Sequence, residues 1–481
     1  MARPVGQLGR GARGVRGALA AGAALCAVAA VSAPGTAAAD GRPPSYTFDE
    51  DAQRVEGALD TTRALRLTPG KTYRSTVPRA GKLYYRLELG ARESAYVSAT
   101  VVPTTGAKVS FKDGYSIAVQ DDNGINCSAD RARFGSSTSP RPLTAWAARR
   151  AGASTLSCKR AGTYYVVVER QSEEASPRDP WDLELRFSME PALRGPAPSA
   201  TPTGWPSEPP APLTGTPKER EGGTGFSAAP RLDQGVWRDR IRPGQTLYYW
   251  VPVDWGQQLT AEVELGSATA GGSGGGGRGL GRYVPSALGV SLFNPARGPV
   301  DQTQSTYDGR QKKAVIGPLP PVRYENRYAV SDEVSGVRFG GRYYLAVHLS
   351  RAVAERFGDG PLGLTLRVRV QGDPGAGGSQ STYDGQPLPV DEFEVVDAAE
   401  PVRQEGGGGG TGTGFARGPV MKTVAAGAFT AGTALVLLLV VWTVVARRRA
   451  AGGKGAGRAG TDGDPEAGAE AGTESRVGSG R

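Results

Sequence analysis

The chain has 481 residues, among them 71 Gly and 36 Pro, with 57 Lys and Arg against 47 Asp and Glu. Glycine and proline stand well above their usual share, so a large part of the chain cannot belong to a packed core. One His and three Cys exclude most metal centres and any catalytic site that needs two histidines.

The net charge of +10 is distributed unevenly. Residues 1–39 hold four arginines and no acid, and residues 447–481 contribute +2, so residues 40–446 hold only +4. A nucleic-acid-binding surface requires a concentrated basic stripe with interleaved aromatic residues, and this middle section has none. The sequence therefore argues against nucleic acid as a partner.

Residues 1–39 have the pattern of a secretory signal peptide. Arginines open the segment, an apolar stretch covers residues 18–31, and Ala37, Ala38 and Ala39 form a small-residue cleavage site. We expect the mature protein to begin at Asp40 and to fold outside the cytoplasm.

The next region, residues 46–189, alternates in hydrophobicity with a period of two. Leu83, Tyr85, Leu87 and Leu89 are separated by polar or amphipathic residues, which is typical of a strand with one buried face and one face in water. No convincing amphipathic helix is visible before the C-terminal part of the chain. We therefore predict an antiparallel β-sandwich module over residues 46–189.

An oxygen-rich turn lies inside this module. Asp121, Asp122, Asn123 and Asn126 place several hard oxygen ligands close together, as Ca²⁺ requires. The spacing lacks the terminal Glu of an EF-hand loop, and a turn at Asn123 followed by Gly explains the pattern without a metal. We expect a turn and no cofactor, with calcium as the alternative.

Two cysteines, Cys127 and Cys158, remain after removal of the signal peptide. An even number of cysteines in an oxidising compartment predicts a disulfide between them. A reactive thiol is the alternative, although neither cysteine has a His or a basic partner nearby in sequence.

Residues 190–226 form a proline-rich segment, with nine prolines between positions 191 and 217. Such a composition favours an extended, semi-rigid linker. We place a domain boundary here and predict a second β-sandwich module over residues 227–371.

The two modules resemble each other. At an offset of 164 residues, Tyr73 matches Trp237 and Tyr85 matches Tyr249, and later motifs match at offsets of 179 and 181. The ordered set of matches predicts a duplication with a glycine-rich insertion in the second copy. His348 lies on an alternating strand of this copy, where we expect a surface residue or one with satisfied hydrogen bonds.

The order of motifs in each copy resembles that of the bacterial pre-peptidase C-terminal (PPC) domain. Pro-Gly precedes a strand, a Leu-Tyr-Tyr strand follows, and Gly-x-Tyr-Tyr leads into the last strands at Gly162 and Gly341. The resemblance covers about 290 residues and implies two jelly-roll-like β-sandwiches. In that family the modules accompany secreted peptidases and assist targeting or binding. Because no peptidase accompanies them here, the resemblance implies a binding role. Richness in Ala, Gly and Arg resembles proteins of high-GC Gram-positive (actinobacterial) bacteria.

Six residues are the predicted ligand contacts if the protein binds a glycan. Exposed aromatic rings stack on sugars and neighbouring carboxylates accept hydrogen bonds from them. Part of the set comes from the motif Gln-Ser-Thr-Tyr-Asp-Gly, which occurs at positions 304–309 and again at 380–385. A role in the core or in a turn is the alternative for each. The residues are Tyr307, Asp308, Tyr383, Asp384, Trp237 and Trp255.

The C-terminal part predicts a membrane anchor. A glycine-rich stalk covers residues 372–418, and residues 423–446 form an uncharged apolar stretch long enough for one transmembrane helix. Arg447, Arg448 and Arg449 follow as a stop-transfer cluster on the cytoplasmic side. Residues 447–481 are expected to be a disordered cytoplasmic tail, which gives a single-pass type I protein with an extracellular all-β ectodomain.

These features together predict a non-enzymatic cell-surface protein whose two modules bind a cell-wall glycan or another envelope protein. Two alternatives are open. The chain can be an accessory or assembly subunit of a membrane complex, or a hydrolase that uses only carboxylates, since paired acids cleave glycosides without histidine.

Overall fold

The computed structural model describes residues 46–104, 106–151, 156–196, 204–268, 283–374 and 383–395. The predicted signal peptide, transmembrane helix, stop-transfer cluster and tail lie outside these ranges. None of the helices within them has the length and apolar character needed to cross a membrane.

The described chain is all-β, as predicted, with three short helices. The strands are β1 (Gln53–Arg54), β2 (Thr72–Val77), β3 (Lys82–Leu89), β4 (Ser94–Val102), β5 (Gly114–Gln120), β6 (Asn126–Arg133), β7 (Leu143–Arg149), β8 (Gly162–Gln171), β9 (Trp181–Glu190), β10 (Lys218–Glu219), β11 (Gly235–Ile241), β12 (Thr246–Val253), β13 (Gln258–Leu265), β14 (Val284–Phe293), β15 (Pro299–Tyr307), β16 (Lys312–Ile316), β17 (Gly341–Leu349) and β18 (Leu362–Gln371). The helices are α1 (Asp332–Ser335), α2 (Ala352–Phe357) and α3 (Val390–Phe393).

The strands form four sheets that fall into two equivalent pairs. The sheets β1-β2-β9-β4-β7 and β3-β8-β5-β6 make up what we call the first half. The sheets β10-β11-β18-β13-β16 and β12-β17-β14-β15 make up the second half. Each strand of the first half has its counterpart at the same position in the second half, so the two halves share one strand order.

The strand registers match as closely as the strand order. Tyr73 pairs with Leu185, and the residues 164 and 181 positions further on, Trp237 and Leu366, also pair. Leu83 pairs with Val168, and their counterparts Leu247 and Val347 pair in the same way. The offsets read from the sequence are therefore the offsets of the paired strands.

Each half has its own hydrophobic core between its two sheets, in a β-sandwich-like arrangement. The alternating residues of β3, Leu83, Tyr85, Leu87 and Leu89, are all buried in the first core. The corresponding alternation of β18 lines the second core. Burial of these side chains is the main favourable term that holds each pair of sheets together.

A disulfide joins Cys127 on β6 to Cys158, across 31 residues of sequence, with a Cα–Cα distance of 5.7 Å. This confirms the predicted pairing. The second half has no cysteine, so the same strand order forms there without a cross-link.

Parts of the predicted linker and of the predicted stalk make specific contacts with the two halves. Within the predicted linker, the carbonyls of Pro206 and Ala211 accept hydrogen bonds from Gln258 and Arg369 of the second half, at 2.6 and 2.7 Å. Within the predicted stalk, Leu388 exchanges two backbone hydrogen bonds with Met189, and the helix α3 follows directly. Residues 383–395 thus pack on both halves: Glu392 pairs with Arg186 of the first half and Arg297 of the second, and Phe393 packs on Phe339 of the second.

Candidate functional site

The outer face of β9 is where the two halves meet. Along this strand Leu183, Leu185 and Phe187 point into the first core, and the alternating residues on the other face are charged or polar. The sequence predicts that this second face is in water. In the structure it is buried, because the second half and residues 383–395 cover it. Its residues are Glu184, Arg186, Ser188 and Glu190.

One buried ion network connects β9 to the β14–β15 turn and to α3. Arg297 lies 2.8 Å from Glu184 and 3.1 Å from Glu392, and Arg186 lies 3.0 Å from Glu392. The hydroxyl of Tyr46 also donates to Glu184, at 2.9 Å. Burial raises the pKa of Glu392, but the two arginines outweigh burial and the pKa is lowered, so this carboxylate stays ionised.

A second network joins the end of β9 to residues 324–328 of the second half. Arg327 donates to both oxygens of Glu190, at 2.9 and 2.6 Å. Tyr96 and Tyr383 donate to the same carboxylate, at 2.9 and 2.8 Å. Burial raises the pKa of Glu190, but Arg327 and the two hydroxyls outweigh burial, so the pKa is lowered overall. The pair of Glu190 and Arg327 is therefore held in its charged form.

His348 is a third contact between the halves. Its Nδ1 lies 2.9 Å from the hydroxyl of Thr246, and its Nε2 lies 3.0 Å from the hydroxyl of Ser139 in the first half. Burial, with a smaller effect of Arg141, lowers the pKa of His348 to about 3. The sequence leaves two possibilities for His348, a surface position or satisfied hydrogen bonds. The structure shows the second: the residue is buried and both ring nitrogens have partners.

Beside these contacts lies a cleft of about 600 Å³ whose walls come from both halves. We call it the inter-half cleft. The first half supplies β6 and β7, and the second half supplies the ends of β14 and β15 together with residues 329–338. Five arginines and three aspartates line it: Arg131, Arg133, Arg141, Arg150, Arg338, Asp130, Asp301 and Asp332.

Arg338 is the most unusual residue of the cleft. It is only 4% exposed, and its Nε and Nη1 have no hydrogen-bond partner. Its guanidinium lies 5.2 Å from the ring centre of Trp146 and 5.9 Å from that of Tyr96. Burial lowers the pKa of Arg338 to about 10. Burial of a cation that lacks acceptors is costly to the stability of the fold.

Two acids lie in the cleft close to each other. Asp130 on β6 accepts the backbone N–H of Trp146 at 3.3 Å, and Asp332 opens α1. Burial raises the pKa of Asp130, and the neighbouring carboxylate of Asp332 raises it further. Pairs of carboxylates in one cleft are the groups from which acid and base catalysts are built.

The predicted calcium residues form a turn in the structure. One oxygen of Asp121 accepts the N–H groups of Asn123 and Ile125, at 3.0 and 2.8 Å. Asn126 accepts from Gln120, and Asp122 accepts from Asn123, so these oxygens also have protein partners. Among the described residues, no group of three His, Cys, Asp or Glu side chains could hold a metal ion. Calcium binding at this turn stays a prediction.

The rings of the glycan hypothesis lie in different places. Tyr307 and Trp237 belong to the second core, so they are not the exposed rings that stacking requires. Trp255 is partly buried against the same core.

The other three residues of that hypothesis lie apart from these rings and from one common surface. Tyr383 is turned towards Glu190, while Asp308 and Asp384 are exposed and lie 2.9 and 4.0 Å from Lys312 and Arg92. The six residues do not form one site.

Comparison with known proteins identifies no family. No protein-family model matches the chain, and no curated protein matches it. Among solved structures, the periplasmic g-type lysozyme inhibitor PliG of Aeromonas hydrophila shares 16% identity over 32% of this chain and 100% of its own, with a TM-score of 0.16. The CBM22-1–CBM22-2 tandem domain of Xyn10C from Paenibacillus barcinonensis shares 13% identity over 68% of this chain and 97% of its own, with a TM-score of 0.16. At such scores neither supports an argument about this chain.

Sequence reasoning missed the inter-half cleft entirely. Its residues come from segments up to about 200 positions apart, and none of its arginines belongs to a motif. The sequence does contain a signal for the contact between the halves beside the cleft. It is the polar face of β9, where Glu184, Arg186 and Glu190 alternate with core residues and carry charges of both signs.

Proposed function

We propose that this chain is a non-enzymatic, single-pass protein of the bacterial cell surface whose ectodomain captures an envelope ligand in the inter-half cleft. The observation that carries the proposal is the buried guanidinium of Arg338, which faces this cleft without an acceptor. Sites that keep a charge unsatisfied in the free protein are typical of binding surfaces, where the ligand supplies the missing partner.

The proposal keeps the predicted architecture. Each half is a jelly-roll-like module of the PPC type, and the Gly-x-Tyr-Tyr motifs that open β8 and β17 support this assignment. Residues 423–446 anchor the ectodomain in the membrane. The two modules act together, since the cleft takes its walls from both halves.

The test is site-specific photo-crosslinking of the full-length protein in the membrane of an actinobacterial host. A photoreactive residue replaces Val330, which is fully exposed at the lip of the cleft, and the control position is Leu59, which is exposed on the first half. We expect a crosslinked envelope component at position 330 that disappears in Arg150→Glu. Equal crosslinking at both positions, or no effect of Arg150→Glu, would overturn the proposal.

A carboxylate-based hydrolase is the second candidate, and the presence of both Asp130 and Asp332 in the cleft favours it. In such an enzyme Asp130 is the protonated acid and Asp332 the base. The full-length protein is incubated with purified cell-wall sacculi, and new reducing ends are measured. Release that stops in both Asp130→Asn and Asp332→Asn supports this candidate. No release by the unaltered protein removes it.

A further inference from the structure

The arginines of the inter-half cleft carry charges that an anionic ligand would neutralise. No described carboxylate lies within ion-pair distance of any of the five, although arginines elsewhere in the same interface are paired. Arg141 is used locally, because it donates to Phe134 and Ser137. Arg133 and Arg150 each donate to a neutral oxygen, that of the Gln171 side chain and the Arg327 carbonyl, at 3.3 and 3.4 Å. The four arginines other than Arg141 outnumber the three aspartates, so the cleft attracts negative charge.

Arg338 is set up to bind a carboxylate. It is the only residue in the described ranges with two buried side-chain nitrogens that lack a partner. A carboxylate is the acceptor that best matches such donors, because its negative charge offsets that of the guanidinium, as in the pair of Arg327 with Glu190 in the same interface. Trp146, Tyr96 and Phe339 surround the Arg338 guanidinium within 6 Å and fix its position.

The lip of the cleft favours a protein ligand over a glycan. Val330 lines the cleft and is fully exposed, and Tyr328, two residues before it in the chain, is also exposed. Large apolar and aromatic side chains next to arginines are the composition of protein interfaces. Stacking on sugars needs a free aromatic face. Trp146 stacks on Tyr96 at 5.2 Å, and it lies so close to Gly298 that a Cβ at that position would overlap its ring. The indole is therefore committed to packing.

We infer that the inter-half cleft binds an extended acidic segment of a protein partner, and that one carboxylate of this segment pairs with Arg338. The inference rests on the proposed function and specifies its ligand. Val330 contacts an apolar side chain of the same segment, and Arg131 and Arg150 in the cleft wall contact its further acids.

The test uses the full-length protein in lipid nanodiscs and a fluorescent synthetic peptide in which Glu alternates with Val and Tyr. The matched probe has Gln in place of Glu, and polygalacturonate serves as an acidic glycan. We expect saturable binding of the acidic peptide, binding of the Gln peptide weaker by at least about tenfold, and no competition by polygalacturonate. Binding should weaken with salt.

The decisive variant is Arg338→Met. Because Met removes an unpartnered buried charge, we expect a higher melting temperature together with a loss of peptide affinity of about 10-fold to 100-fold. A residue with a purely structural role would lower both. Arg367→Met, on the far sheet of the second half, is the control. It should leave peptide affinity unchanged and should not raise the melting temperature.

Rim variants keep the test valid if Arg338→Met does not fold. Arg131→Gln and Arg150→Gln are exposed substitutions and should each weaken peptide binding a few-fold and reduce its dependence on salt. No binding of the acidic peptide, equal binding of the Gln peptide, or displacement by polygalacturonate would overturn the inference.

The two proposals can fail separately. If the peptide does not bind but crosslinking at Val330 still depends on Arg150, the cleft is a binding site for a different ligand class. If crosslinking does not depend on Arg150, the proposed function itself fails.

Discussion

Strands β9 and β18 occupy the same place in the two halves, yet their charged faces have opposite surroundings. On β18, Arg367 pairs with Glu262 and Glu264 and remains 25% exposed, as expected for an outer face in water. On β9, Glu190 is 1% exposed, and its partner Arg327 comes from the other half. Duplication of a fold therefore does not duplicate its surface, since only one copy has become an interface.

The ion pairs on the two strands should also differ in how much the loss of one partner destabilises the fold. An exposed ion pair contributes little because water solvates both charges almost as well. A buried pair is different, because removal of one partner leaves the other charge without either water or a counter-ion. The following predictions test this difference, in order of expected effect.

Glu190→Ala is expected to have the largest effect. It leaves Arg327 buried without its carboxylate, and it also removes the acceptor of Tyr96 and Tyr383. We expect a loss of about 3–5 kcal/mol in the free energy of unfolding, measured by urea denaturation of the full-length protein. A loss below about 1 kcal/mol would mean that the pair is not buried in solution.

The disulfide distinguishes the halves in a second way. Replacement of both Cys127 and Cys158 by Ser opens a loop of 31 residues, which the chain-entropy model values at about 4 kcal/mol. In calorimetry, the transition of the first half should shift to lower temperature. A shift of the second half alone would contradict this account, because that half has no cysteine.

His348 makes the interface sensitive to acid. Its pKa is lowered from 6.5 to about 3, so the unfolded chain binds the proton more readily. The contribution of His348 to stability is complete above about pH 6.5 and is lost as the pH falls towards 3, which amounts to about 3 kcal/mol by pH 4.5.

Comparison with His348→Gln isolates this effect. The stabilising contributions of Glu190 and Glu392 are also lost in acid, because the pKa values of both are lowered in the folded protein. That loss occurs at pH values below the usual glutamate pKa. The difference in melting temperature between the two proteins should therefore change between pH 6.5 and 4.5. A constant difference across that interval would show that His348 is not buried.

Arg367→Ala is expected to have the smallest effect. The pair with Glu262 and Glu264 is partly exposed, so its loss should cost at most about 1 kcal/mol and less in high salt. Urea denaturation at two salt concentrations measures this. A cost similar to that of Glu190→Ala would remove the distinction between the two strands.

The sequence predicts what depends on local pattern. Alternation in β3 and β18 places the core faces correctly, and the offsets between the copies predict the strand registers. The disulfide follows from the number of cysteines and the compartment. Alternation alone cannot show whether the polar face of β9 meets water or another half, because both cases require the same residue types.

No local sequence pattern predicts the inter-half cleft. Arg338 has no motif around it, and its significance lies in the acceptors that are missing in space. The glycine-rich composition around residues 383–395 predicts a stalk there. Their contacts with Met189 and Arg297 depend on partners about 100 to 200 positions away.

The central claim is that the two halves are docked through the face of β9, and this docking can be measured directly. Ser136 and Ser286 lie on opposite halves with their hydroxyl oxygens 3.0 Å apart. In the full-length protein carrying both Ser136→Cys and Ser286→Cys, we predict a disulfide between the new cysteines, detected by mass spectrometry of linked peptides, with single-cysteine variants as controls. Free thiols at both positions in the folded, oxidised protein would contradict the docked arrangement and, with it, the inter-half cleft.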